Sequence, residues 1–271
     1  MTGTGEALCS PAPWVPPVDE FADELSREDL RLARACLLLA RDVRPGVDPD
    51  AYLARVDPWA ERVRALARET DFPTALRLVL AVEEGFRGSV EDYHDPDNSF
   101  LDRVMERRRG LPIMLSILYL EVARRLGEPL VAVGFPGHFL VRYEDRLMDP
   151  FMGGAPVAEN DLQRLLDRVT GGHVPVSREM LRATPDRDVL ARVLANLKNA
   201  YVMENDARAA LRIEDRILQL NPFAFPEYRD RGLLRSALGD LAGAREDLAR
   251  YVEAMPKAPD ADAVRRLLAR L

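Results

Sequence analysis

Residues 110–154 read GLPIMLSILYLEVARRLGEPLVAVGFPGHFLVRYEDRLMDPFMGG. Pro112 suits the first turn of a helix, where its missing N–H costs nothing. Ile113, Ile117, Leu120, Val122 and Ala123 then make the segment apolar over much of its circumference, which predicts a central, buried helix. Gly127 ends it. LVAVGF, HFLVRY and RLMDPF follow with the β-branched and aromatic content of short strands, and Glu144-Asp145 is the turn between the last two. These strands present His138 and, eleven positions on, Asp149. A helix followed by His and Asp is the chain order of a thiol-dependent triad. The helix carries no Cys.

Upstream, residues 1–18 are rich in Pro, Gly and Ser and read as a flexible arm. From Asp19 the pattern turns helical through Phe21, Leu25, Leu30, Leu32, Ala33, Cys36, Leu37 and Ala40. Ser26 with Asp29 looks like a capping box that starts the main part of this helix. A second helix, residues 49–68, carries a break at Pro58. A third covers 73–84 and another 99–108.

Between these last two, GSVEDYHDPDNS is a loop. Asp95, Asp97, Ser99 and Glu106 stand at positions 1, 3, 5 and 12 of a calcium-loop template, with His94 as a possible extra ligand. The template requires Gly at position 6, where this chain has Phe100, so an exposed loop capping the next helix is the better reading. No metal or other cofactor is expected. His173, in TGGHVPVS after a helix over 159–169, reads as a loop histidine.

From Asp186 the chain is all-helical and repeats itself. Pro222 and Pro256 lie 34 residues apart, and the same offset pairs Asp206 with Asp240, Ala210 with Ala244 and Arg216 with Arg250. A period of 34 residues is that of tetratricopeptide helix pairs. Two units and a last helix over 261–271 form a small stack, expected to pack against the preceding domain because two repeats are few for an independent solenoid.

Composition narrows the function. Hydrophobic residues make up 47% and charged residues 31%, enough for a sizeable core. The net charge of -7 argues against general affinity for nucleic acid or anionic membranes. The first residues lack a secretory pattern and no apolar run is long enough to span a bilayer, so a cytoplasmic protein is expected. Of the two cysteines, Cys9 lies in the Pro-rich leader and Cys36 in an apolar helical run, where a free thiol acts as a small hydrophobe.

The central stretch resembles the transglutaminase-like core, in which a helix closing on a turn like LGEP (residues 126–129) is followed by His and then Asp-Pro. More closely, NSFLDRVMERRRGLPIMLSILYLEVARRLG, GFPGHFLVR and MDPFMGG are similar to the bacterial Sir-type invasion-regulator proteins, which join that domain to tetratricopeptide repeats. The resemblance implies an α+β fold: a helical N-terminal layer and a papain-like core with a small antiparallel sheet (19–182), then an all-α repeat domain (183–271). It places the family's nucleophilic Cys at or beside Pro112, and it implies a regulatory, protein-binding role for chains without the thiol.

Two functions follow. In the first, the protein is a non-catalytic interaction protein with protein partners, His138 and Asp149 form a structural pair, and Pro112 and His138 line a binding cleft. Arg107, Arg108 and Arg109 either pair with the acidic loop or bind a carboxylate or phosphate at the cleft mouth. In the second, a hydrolase or acyltransferase uses Ser116, one turn past Pro112, with His138 and Asp149. Ser116 would lack the helix N-terminal donors, and its hydroxyl is expected to bond the carbonyl one turn back or His138 itself.

Overall fold

A computed structural model describes residues 19–271. Its centre is α7 (Pro112–Leu126), with Leu111 as N-cap and Gly127 as a left-handed C-cap at φ 71°. Eleven of its fifteen residues are buried, and only its last turn and Leu120 approach water. The buried Glu121 is neutralised by Arg124 and Arg125, whose guanidinium nitrogens lie 2.8 and 2.9 Å from its carboxylate.

Helices cover α7 on one side: α2 (Leu32–Val43), α4 (Asp57–Leu66) and α6 (Leu101–Arg107). An antiparallel meander covers another side, with β3 (Leu130–Val133), β4 (Leu140–Tyr143), β5 (Arg146–Asp149) and β6 (Ala155–Pro156) in that order. Glu144 and Asp145 make the β4–β5 turn as expected, Glu144 taking φ 53°. β6 lies in a stretch that the sequence reads as loop. Two residues, one of them Pro156, leave no alternation, and their pairing comes from the edge of β5. A separate two-stranded parallel ribbon joins β1 (Arg87–Gly88) to β2 (Arg109–Gly110).

The N-terminal helices differ from expectation in one respect. Ser26 does not start a helix; it ends α1 (Glu20–Leu25), its hydroxyl donating to Asp23 O at 2.7 Å. α2 has Arg31 as its N-cap with no side-chain cap; Glu24 of α1 instead accepts the Arg31 N–H at 2.9 Å and pairs with the Arg31 guanidinium. A carboxylate placed by another helix here does what the acidic residue of a capping box would do. The break at Pro58 is present: α3 (Pro49–Ala54) stops and α4 begins with Pro58 in its first turn. α5 (Phe72–Arg77) runs on into a widened turn, Leu78–Glu83.

After α8 (Glu159–Thr170), the chain is helical from α9 (Asp186–Met203) through α10 (Ala207–Leu220), α11 (Phe225–Ala237), α12 (Leu241–Ala254) and α13 (Ala261–Leu268). The 34-residue offset is physical. Asp206 and Asp240 each cap a helix, accepting from Ala209 N and Gly243 N, and Ala210 and Ala244 are both fully buried. Val189, Leu190, Val193, Leu194 and Leu197 of α9 belong to the same hydrophobic core as α2 and α7. The repeats therefore pack on the first domain and share its interior. A second cluster, Leu218, Tyr228, Leu248, Tyr251 and Val264, holds the remaining helices together.

Between α9, α10 and α11, Lys198 Nζ lies 2.9 Å from buried Glu214 and 2.7 Å from Asp230, and also pairs with Glu227. Three carboxylates share one ammonium, and burial together with the Glu227 charge pushes Glu214 above the ordinary glutamate range. A raised folded-state value stabilises below the unfolded pKa, and that stability is lost as pH rises through the folded one. Wild type should therefore lose thermal stability between about pH 5 and about pH 9, and Glu214→Gln should flatten that slope. Melting curves across this range check it.

Candidate functional site

A cleft of about 610 Å³ opens where the start of α7, the ends of β5 and β6 and the helix α8 meet. Pro112, His138, Asp149, Phe151, Leu165 and Val169 are among its walls. Pro112 is the first residue of α7, so the positive end of that helix faces this space.

His138 is not on a strand. Pro136-Gly137 turns the chain, with Gly137 at φ 69°, and the imidazole projects from the loop two residues before β4. A Cβ on Gly137 would stand 2.4 Å from Val169, so the turn fits only glycine. The ring is held from three directions. Its Nε2 lies 2.8 Å from Asp149 Oδ2, and its edge meets the Phe151 ring at 5.9 Å and 85°. Its backbone carbonyl accepts from Arg192 Nη2 at 2.8 Å, and the same nitrogen reaches Phe135 O at 3.2 Å.

Asp149 ends β5 and is only 4% exposed. Its second oxygen accepts the N–H groups of Phe151 at 2.9 Å and Met152 at 3.3 Å, capping the short turn Pro150–Met152. The carboxylate thus orients the imidazole and ties off its own strand. Nδ1 of His138 has no hydrogen-bond partner among the described residues.

The structure brings His138, Asp149 and Pro112 to one cleft and leaves Ser116 out. Ser116 is fully buried, does not line the cleft, and its hydroxyl bonds neither the preceding turn nor His138. Ser116, one turn inside the helix, points into apolar packing and away from the cleft. Cys36 lies buried in α2, where desolvation pushes its thiol up to about 12. Cys9 falls outside the described residues.

The arginine run does not act as a unit, and none of it lines the His138 cleft. Arg107 pairs with Asp95 at 2.7 Å and with Asp97, within the acidic loop. Arg108, left-handed at φ 58°, pairs with Glu84 at 2.8 Å and stacks on Trp59 and Phe86; burial lowers its pKa. Arg109 donates to the carbonyls of Gly85 and Arg108 and lines a separate cavity.

The acidic residues do not converge as calcium ligands. Asp95 caps the turn Pro96–Ser99, while Glu106 faces Tyr52 and Arg103. Among the described residues the carboxylates that do converge are Glu214, Glu227 and Asp230, around the Lys198 ammonium. His94 packs on the edge of Tyr93, and His173 is an exposed loop residue.

Sequence reasoning missed Arg192. It sits on α9, its guanidinium is desolvated enough to lower its pKa, and it lies over Phe139 at 5.3 Å. Nothing in the local pattern marks it, because its partners are carbonyls 54 and 57 positions away. Thr184 adds to the same clamp, accepting from Gly134 N and donating its own N–H to Ala132 O.

Comparison with known proteins gives the family. The model of the transglutaminase-like superfamily matches residues 50–195, and a tetratricopeptide-repeat model matches 197–269. A UPF0162 protein of Xylella fastidiosa is 41% identical over 249 residues, 88% of this chain and 89% of that protein. Protein SirB1 of Salmonella typhimurium is 32% identical over 210 residues, 76% and 78% of the two chains. The chain belongs to the SirB1-type branch of the transglutaminase-like superfamily. No solved structure matches it.

In this SirB1-type chain the His–Asp pair is part of the framework, and the two residues differ in what they hold. Asp149→Ala removes the acceptor of two N–H groups and the imidazole partner, and should cost about 2–3 kcal/mol. His138→Ala removes one side-chain bond and one ring contact, and should cost about 1 kcal/mol. Urea unfolding of both variants measures the difference.

Proposed function

We propose that this protein is a non-catalytic, cytosolic regulatory protein that works by binding protein partners. Its core is a transglutaminase-like domain over residues 19–182, in which Pro112 takes the place of the nucleophilic thiol. The observation that carries the reading is the wall of the cleft: the residue at the positive end of α7, sharing a cavity with His138 and Asp149, is a proline. Acyl transfer through a cysteine needs a thiolate there, and proline offers neither a nucleophile nor an N–H for a developing oxyanion.

Partner binding is ascribed to the repeats over 183–271, the kind of helical stack whose extended faces serve protein recognition. Phe223, 76% exposed at the α10–α11 corner, is an apolar group free for such a contact. The regulatory role rests on the resemblance to the Sir-type invasion-regulator proteins. No helix of the described residues is long and apolar enough to cross a membrane, in keeping with a partner in solution.

The reading is tested by turnover on a panel of ester and amide substrates. Wild type, His138→Ala and Ser116→Ala, each shown to be folded, should all give the background rate. Activity in wild type that falls by about a hundredfold or more in both variants would overturn it, since residues of one catalytic unit fail together.

A further inference from the structure

On the other side of Phe151 lies a second cavity, of about 630 Å³, whose walls include Arg77, Arg87, Arg109, Gly88, Phe86 and Phe151. The volume suits a small molecule. None of its three arginines makes an ion pair with any described residue; Arg109 is satisfied by backbone carbonyls only. In the parallel β1–β2 ribbon Arg87 is the register partner of Arg109, so two like charges stand side by side on one face. The Arg87 charge lowers the pKa of Arg109, second to burial. Arg77 and Arg87 are exposed and Arg109 is half-buried, so a chain of net charge -7 holds, at the rim of this cavity, three arginines without an ion pair among the described residues.

Close to the cavity but not among its walls, Tyr119, fully buried on α7, has a hydroxyl with no partner among the described residues. It ends beside Gly154 and the Arg77 side chain: a Cβ on Gly154 would stand 2.8 Å from the Tyr119 oxygen and 3.3 Å from Arg77 Cβ. Gly88 has no room for a side chain either, since a Cβ there would meet the Phe151 ring at 2.4 Å. Phe151 is therefore pressed onto the ribbon and forms a wall common to this cavity and the His138 cleft. Glu91 and Asp92 also border the space, exposed like Arg77 and Arg87, and neither pairs with the arginines.

We propose that the cavity framed by Arg77, Arg87 and Arg109 is a binding site for a small molecule carrying an oxyanion, a phosphate or a carboxylate. Guanidinium groups present paired donors that match either group, and the anion relieves the Arg87–Arg109 repulsion. Because Phe151, with Val90 and Met152, lines both the site and the cleft, a ligand seated here bears on the side chain that packs against His138. The site does not depend on whether the cleft is catalytic.

The test is calorimetric titration of the full chain with pyrophosphate, inorganic phosphate and citrate at matched ionic strength. Wild type should give saturable binding of at least one of them, and the ranking of the phosphates against citrate tells which oxyanion the site prefers. Arg77→Gln/Arg87→Gln should weaken that binding at least tenfold, while Arg178→Gln, the same change at an exposed site elsewhere, should leave it unchanged. Without anion the Arg87→Gln single variant should melt no lower than wild type, because a repulsion has been removed. No saturable binding of any probe, or equal weakening by Arg178→Gln, overturns the proposal.

Discussion

A helix that is apolar over most of its circumference has to be covered on nearly every side, and α7 imposes that requirement on the whole molecule. Its residues from Pro112 to Ala123 are buried almost without exception. Each fully buried large apolar side chain contributes about 1.5–3 kcal/mol relative to exposure, so leaving any side of α7 open would be expensive. The N-terminal helices and the meander supply part of the cover, and α9 supplies the rest. The transglutaminase-like region and the repeats are in consequence one folding unit at their junction, with a common core.

That shared core explains how the cleft keeps its shape. Arg192 reaches from α9 to the carbonyls of Phe135 and His138, and Thr184 pins Gly134 and Ala132. Asp149 closes the turn after β5 while it holds the imidazole. The His–Asp arrangement thus carries structural duties that have nothing to do with a nucleophile. A proline at the start of α7 is compatible with all of them, since the first helical position needs no N–H.

Much of the fold was legible in the sequence because it rests on local rules. The apolar circumference of α7, the Glu144-Asp145 turn, the break at Pro58 and the 34-residue period each follow from patterns a few residues long or from strict repetition. What was not legible depends on distant groups. Glu24 of α1 takes the Arg31 N–H at the start of α2, β6 exists through its neighbour's edge, and Pro136-Gly137 lifts His138 off the strand. The arginines at 107, 108 and 109 look like one basic run, yet a left-handed residue at Arg108 sends them to three different surroundings. At the site, residue types and chain order located His138 and Asp149. The exclusion of Ser116 and the arrival of Arg192 required three dimensions.

The account stands on Pro112 occupying the place from which a thiol would act. Pro112→Cys, in a Cys9→Ser background so that the buried Cys36 is the other remaining thiol, tests this through the pH dependence of alkylation by iodoacetamide. The introduced thiol should titrate well below the ordinary value of about 8.5, because the helix terminus and His138 favour its anion, and His138→Ala should move it back up. A thiol that titrates near 8.5 and ignores the loss of His138 would contradict the account.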